Sequence, residues 1–384
     1  MTIRPFSVAL GGMLAMAAVM GIGRFVYTPI LPYMTDALSL TKSDAGLIAA
    51  ANYLGYLVGA LAGATGIVAG NRRHWMLWGI AISAATTAAM AVTGSAYLFM
   101  VLRFIGGVAS ALYMVFGSAL VFERLAAAGR SDLSYVFFAG VGTGITGSAL
   151  LVSWLGAQGV GWADLWIATG ALALTASAAI VFLIPPHTGD TPKATTAGGG
   201  RIDPLIIPIT IGYGLFGFGY VITTTFISAI VRQTPAIAHI EPFIWVIVGL
   251  GALPSVAWWA WVGRKLGNPA SFALACLTEA VGVAATVLFA DPAVVLIGAF
   301  LTGGTFVGIT AVGLFTVNDI ARSSSADPRR IIALMTGMFG IGQMIGPAFG
   351  GYVADITGTF TVPTLIASAT LVVAAGLGLM TRRG

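Results

Sequence analysis

The chain has 384 residues, 58% of them hydrophobic and only 8% charged, with a mean hydropathy of +0.96. A water-soluble domain carries about a quarter charged residues, so this composition excludes a soluble globule and makes lipid the solvent. The net charge of +5 is scattered over predicted loops, which argues against a nucleic-acid-binding patch, and the single cysteine, Cys276, excludes a disulfide framework or a cysteine-based metal site.

A helix needs about 20 apolar residues to cross the hydrocarbon core. By that measure the first half predicts spans at 7–33, 44–67, 75–93, 96–121, 134–156 and 162–184. The opening residues lack a convincing Ala-x-Ala cleavage site, so the first run reads as a retained helix. Residues 185–204, PPHTGDTPKATTAGGGRIDP, read as a flexible linker. The second half predicts spans at 205–230, 242–262, 269–290, 293–318, 331–354 and 360–381. The expected organisation is therefore an all-α integral membrane protein of twelve transmembrane helices, as a six-helix bundle over 1–184, a linker over 185–204 and a second six-helix bundle over 205–384.

Lysine and arginine set the expected orientation. With both termini inside, 14 of the 18 basic residues fall on the cytoplasmic side and only Lys42 and Arg232 outside. This bias predicts a multi-pass protein of a bacterial inner membrane with cytoplasmic N and C termini. Tryptophans at 78, 154, 162, 166, 258, 259 and 261 lie near predicted span ends, where amphipathic rings settle.

The two halves repeat one pattern. Gly21-Ile22-Gly23-Arg24-Phe25-Val26-Tyr27-Thr28 returns, loosened, from Gly217 as Gly-Phe-Gly-Tyr-Val-Ile-Thr-Thr, at an offset of 196. The basic turn Arg72-Arg73 returns as Arg264-Lys265 at 192, and Gly106-Gly107 as Gly303-Gly304 at 197. Gly140-x-x-x-Gly144 returns as Gly342-x-x-x-Gly346 at 202. Small residues four apart allow close backbone approach where lipid removes the hydrophobic drive for helix association. Parallel repeats of this kind place a substrate site near the midplane, between the halves.

Twelve spans as six plus six, a basic turn after spans 2 and 8 and a central linker resemble the major facilitator superfamily. Within it, the run Gly-Ile-Gly-Arg-Phe-x-Tyr-Thr-Pro-x-Leu-Pro at 21–32 resembles the YbfB/YjiJ-like branch. The resemblance implies two pseudo-symmetric bundles with spans 1, 4, 7 and 10 lining a central cavity. Arg103-x-x-x-Gly107 fits the superfamily pattern of span 4. Gly342-x-x-x-Gly346-Pro347 fits a pattern expected in span 5 of proton-driven exporters, but here it stands in span 11, and span 5 has Ile145 in place of the proline. The loop after span 2 keeps Arg72 and Arg73 but has Gly63 where the family pattern has an aspartate.

Three ionisable residues fall within spans: Arg24, Arg103 and Glu279. A charge at a span centre costs about 2.5–3.5 kcal/mol on insertion scales, which makes such residues functional candidates. Helical spacing puts Arg24, Tyr27 and Thr28 on one face, with Tyr220, Thr223 and Thr224 on the matching face of span 7. Two arginines with no carboxylate at their depth in spans 1 and 4 suit an anion, which a guanidinium binds through paired hydrogen bonds. The competing reading is that each arginine bonds helix carbonyls and never meets substrate. Asn52, Tyr113 and Gln343 complete the substrate-facing candidates. Glu279 is the candidate for proton coupling, or else a neutral carboxyl between helices. Asp36, Asp44 and Asp319, at span ends, are further relay candidates.

The sequence thus points to a secondary transporter that moves a small organic anion, such as a carboxylate, by alternating access with proton coupling. A proton-driven multidrug or metabolite exporter is the alternative, and a transporter-like receptor a more distant one. No Walker-type phosphate loop, nucleophile elbow or metal-ligand spacing is present, so no enzyme activity, cofactor or metal is expected. The expected partners are substrate, lipid and protons, with no nucleic acid, and the chain is expected to be a monomer.

Overall fold

In the computed structural model, residues 5–64, 68, 70–183, 203–322 and 328–381 are described. Most of the predicted linker, 185–202, lies outside them. The chain separates into two compact units, Met1–Leu40 with Ala51–Ala194, and Thr41–Ala50 with Thr195–Gly384. Among the described residues every element is helical. Among the described residues ten helices are long and apolar enough to cross a membrane, or eleven when one bent pair counts as a single span.

The first unit begins with α1 (Pro5–Met16), a π-helical segment (Ala17–Arg24) and α2 (Tyr27–Leu38). The predicted span over 7–33 is one helical run, Pro5–Leu38, with a π segment inside it. Wider π turns are rare and favour functional positions, and the glycines at 21 and 23 lower the cost of departing from α geometry here. Then follow α3 (Lys42–Ala64), α4 (Arg72–Ala89), α5 (Ala96–Leu112), a second π segment (Tyr113–Gly117) and α6 (Ser118–Ala127). The unit closes with α7 (Ser134–Gly156) and α8 (Trp162–Leu183), the latter matching the expected sixth span. The first span needs small neighbours at residues 13 and 17. A Cβ on Gly144 of α7 would strike the carbonyl of Ala17, and one on Gly140 that of Met13.

The second unit contains α9 (Ile206–Gln233), α10 (Glu241–Ala252), α11 (Ser255–Leu266), α12 (Asn268–Leu288), α13 (Pro292–Arg322), α14 (Pro328–Thr357) and α15 (Thr361–Leu379). The repeat is visible in the packing. A Cβ on Gly342 of α14 would strike the carbonyl of Gly214 on α9, as one on its counterpart Gly140 would strike that of Met13 in the first span. The predicted span 242–262 is instead two helices, α10 and α11, bent by 44°. Pro254 at the bend has no N–H to continue the ladder, which explains the break. One segment crosses the expected boundary: residues 41–50, the first turns of α3, group with the second unit.

Candidate functional site

In the first unit the site is built around the π segment in the first span. Arg24 is the last residue of the π segment and is 6% exposed. Its guanidinium lies 4.5 Å from the Tyr53 ring centroid and 4.4 Å from that of Tyr56, both on α3, and 5.8 Å from Phe25. Tyr53 and Tyr56 are spaced i and i+3, so they share a face and present two ring quadrupoles to one cation.

Arg103 of α5 is equally buried and does a different job. Its Nη1 donates to the carbonyl of Gly23 at 2.8 Å and its Nη2 to that of Arg24 at 2.7 Å. Here the helix changes type: Thr28 N–H reaches back three residues, to Phe25, rather than four. The planar fork thus braces two carbonyls at the end of the π turn, where the regular ladder is interrupted. The same guanidinium lies 5.3 Å from the Tyr27 ring, and Tyr27 leans on Trp166 at 6.4 Å between ring centroids. A narrow recess beside Arg103 is lined by Gly23, Thr86, Thr87 and Gly106.

Other predicted residues also bind helix to helix. Asn52 donates to the carbonyl of Arg103 at 2.9 Å, and Gly107 lets the Asn52 backbone approach α5. Tyr113, fully buried, donates to the carbonyl of Gly12 at 3.2 Å. Thr28 is buried beside Tyr27 in sequence at the start of α2. Trp166, placed near an interface by the sequence, is fully buried with its indole N–H on Met34 Sδ at 3.3 Å.

In the second unit the matching helix, α9, runs unbroken for 28 residues. Tyr220, where Arg24's counterpart would stand, is 2% exposed and accepts a hydrogen bond on its hydroxyl from Gln343 of α14. Its ring stacks between neighbours, 5.6 Å from Phe306 and 6.0 Å from Phe339, within 7° and 6° of parallel. Phe216 stacks at 5.0 Å. Thr224 bonds back to the carbonyl of Tyr220 at 3.1 Å, whereas Thr223 Oγ1, fully buried, has no hydrogen-bond partner among the described residues. Glu279 of α12 is fully buried, and neither carboxyl oxygen has a hydrogen-bond partner among the described residues. Pro347 sits inside α14 one residue after Gly346, which faces Val221 and Phe218 of α9.

The turn residues keep the repeat in a form that sequence reading missed. Arg72 pairs with Glu123 at 3.1 Å, while Arg73 N–H caps on Asn71. Asn268 pairs with Asp319 at 2.6 Å. Both positions of the second pair lie 196 residues after those of the first, the offset of the duplicated decapeptide. Asp319 is thereby held as a helix-end partner.

A family model described as "Uncharacterised MFS-type transporter YbfB" matches residues 16–379. The chain belongs to this family. It is accordingly a multi-pass membrane transporter and not an enzyme. No curated protein matches it. Among solved structures it is similar to the nucleoside transporter NupG, with TM-score 0.77 and 14% identity over 98% of this chain and 100% of that one. It is also similar to a bacterial homologue of the human lysosomal transporter Spinster in an inward-facing, occupied conformation, with TM-score 0.70 and 13% identity over 98% and 96%. At such identities the likeness establishes the fold of the transporter, which agrees with the all-α architecture expected from the sequence.

Proposed function

We propose that this transporter moves a small organic anion, such as a carboxylate, by alternating access, and that Arg24 is the group that receives the negative charge. The observation that carries this reading is a deeply buried guanidinium at the end of a π turn within the first span. π turns inside helices are rare and favour functional positions. The two tyrosine rings hold the guanidinium at 4.5 and 4.4 Å and its Nη1 lies 4.0 Å from Met20 Sδ, so a carboxylate binding here would add a charge-assisted partner to an arginine the fold already positions. From residue 5 to residue 38 the only acid is Asp36, and α5 has none, so the surrounding sequence favours an anion over a cation. In this reading Arg103 braces the end of the π segment, and Tyr27 and Thr28 contribute polar contacts to substrate.

Glu279 is the proposed proton-coupling group, since an ionised carboxyl with no partner is too costly to keep in a dry helical bundle and a neutral one is tolerable. The bias of basic residues supports an inner-membrane protein with both termini in the cytoplasm. The test is a thermal-shift screen of purified protein over mono- and dicarboxylates, cationic dyes and nucleosides, the last because NupG is a nucleoside transporter. Stabilisation by carboxylates that disappears in Arg24→Gln is the expected result. Stabilisation by cationic dyes alone, or carboxylate binding that survives Arg24→Gln, overturns the reading.

A further inference from the structure

Helix α11 ends in a basic turn and carries a pair of tryptophans on its outer face. Trp258 and Trp261 are 54% and 45% exposed, and their rings lie 5.3 Å apart between centroids. Arg264 and Lys265 follow in the last turn. Trp258, Trp261 and Lys265 stand at i, i+3 and i+7, so helical spacing gathers them on one face. The third tryptophan of this helix, Trp259, is buried on the other face and donates its indole N–H to the carbonyl of Gly304 at 2.8 Å. The repeat sharpens the contrast. The offset of the basic turn, 192, carries Lys265 onto Arg73, but carries Trp258 and Trp261 onto Gly66 and Ala69. The duplicated pattern therefore does not itself call for aromatic rings before this turn.

Lys265 is exposed and makes no hydrogen bond or ion pair among the described residues. The acid of α13 nearest this turn in the packing, Asp319, is already bonded by Asn268 at 2.6 Å. A lysine in a last turn offsets the negative end of its own helix dipole, but α12 begins two residues after α11 ends and brings a positive end beside it. The turn thus keeps an uncommitted positive charge. At 1.5 Å per residue the two rings lie about 6 and 10 Å from Lys265 along the helix axis. A phosphate at the ammonium leaves the glycerol and upper acyl chains of the same lipid beside the rings. Indole rings settle at this depth, with an apolar body and one N–H donor.

We propose that Trp258, Trp261 and Lys265 form a binding site for one anionic phospholipid of the surrounding bilayer. This goes beyond the substrate reading and is independent of Arg24. A basic residue near an anionic membrane surface is worth about fivefold in local lipid preference. For a lipid making up about a fifth of the bilayer, that raises occupancy of the site to about a half. The test reconstitutes the full chain in phosphatidylcholine vesicles in which about a fifth of the lipid is brominated phosphatidylglycerol or brominated phosphatidylcholine. Tryptophan quenching is read for the parent and for Trp258→Phe/Trp261→Phe, and their difference belongs to the pair. The pair is expected to be quenched about twice as much by the brominated phosphatidylglycerol. Lys265→Gln is expected to abolish that excess while leaving quenching by brominated phosphatidylcholine unchanged, and Lys265→Arg to retain it. Equal quenching of the pair by the two lipids overturns the proposal, since the rings would then meet bulk lipid only. So does an excess that survives Lys265→Gln, or one lost in Lys265→Arg as well. A change in quenching by both lipids together in Lys265→Gln also overturns it, because the lysine would then act on the helix rather than on a lipid.

Discussion

Arg103 gives the sharpest test of how the π segment is held. Arg103→Met keeps the length and apolar stem of the side chain but removes both donors from the carbonyls of Gly23 and Arg24. A buried group deprived of its partner costs about 1–3 kcal/mol, so two such carbonyls cost about 2–6 kcal/mol. Arg103→Lys retains a charge but has no planar fork, so it can serve one carbonyl well and the second poorly, at a loss of about 1–3 kcal/mol. Arg24→Gln should cost less, because it gives up ring contacts worth about 0.5–2 kcal/mol. Unfolding in mixed micelles of increasing SDS fraction, followed by tryptophan fluorescence, measures all three. The expected order of stability is wild type, Arg24→Gln, Arg103→Lys, Arg103→Met. An Arg103→Met variant within about 1 kcal/mol of wild type would refute the bracing argument.

Glu279→Gln should fold at least as stably as wild type, since an unpartnered acid is replaced by a neutral isostere, yet lose proton movement in proteoliposomes read by a pH-sensitive dye. Unchanged proton movement removes Glu279 from the coupling path. Gly140→Ala and Gly342→Ala each place a methyl against a helix carbonyl, so each should lower stability by about 1–3 kcal/mol, and the two should match because the positions are equivalent in the repeat. Tyr220→Phe deprives Gln343 of its acceptor and should cost about 1–3 kcal/mol in the same micelle assay. Arg72→Ala breaks an exposed pair and should shift stability by about 1 kcal/mol or less.

The spans were legible because hydrocarbon thickness fixes a minimum apolar length, which a sequence displays directly. The irregularities were harder. Pro254 announced the bend between α10 and α11, and the sequence reading passed over it. The π segment at 17–24 has no such marker: Gly-Ile-Gly stands at 21–23 and Gly-Phe-Gly at 217–219, yet only the first copy departs from α geometry. What accompanies it is Arg103, a residue 79 positions from Arg24, which donates to two carbonyls at the end of the segment. Local composition does not encode a partner that tertiary packing brings in. The in-span charges were found by the simple expense of putting them there, but expense does not say whether an arginine faces a ligand or a carbonyl. Asn52 and Tyr113 were singled out as polar groups in spans, and the fold uses each to bond one helix to another.

The unlike fates of the two duplicated decapeptides limit how the halves could ever be exchanged. A chain made of two first halves would carry two interrupted helices and two extra buried cations, and each interruption would need its own arginine brace. A chain made of two second halves would have neither the interruption nor the cation, only paired aromatic stacks. The duplication therefore stopped being a symmetry of parts once one copy acquired the π segment. What persists is a difference of form, in which a helix with a π segment in one half answers to a regular α-helix in the other.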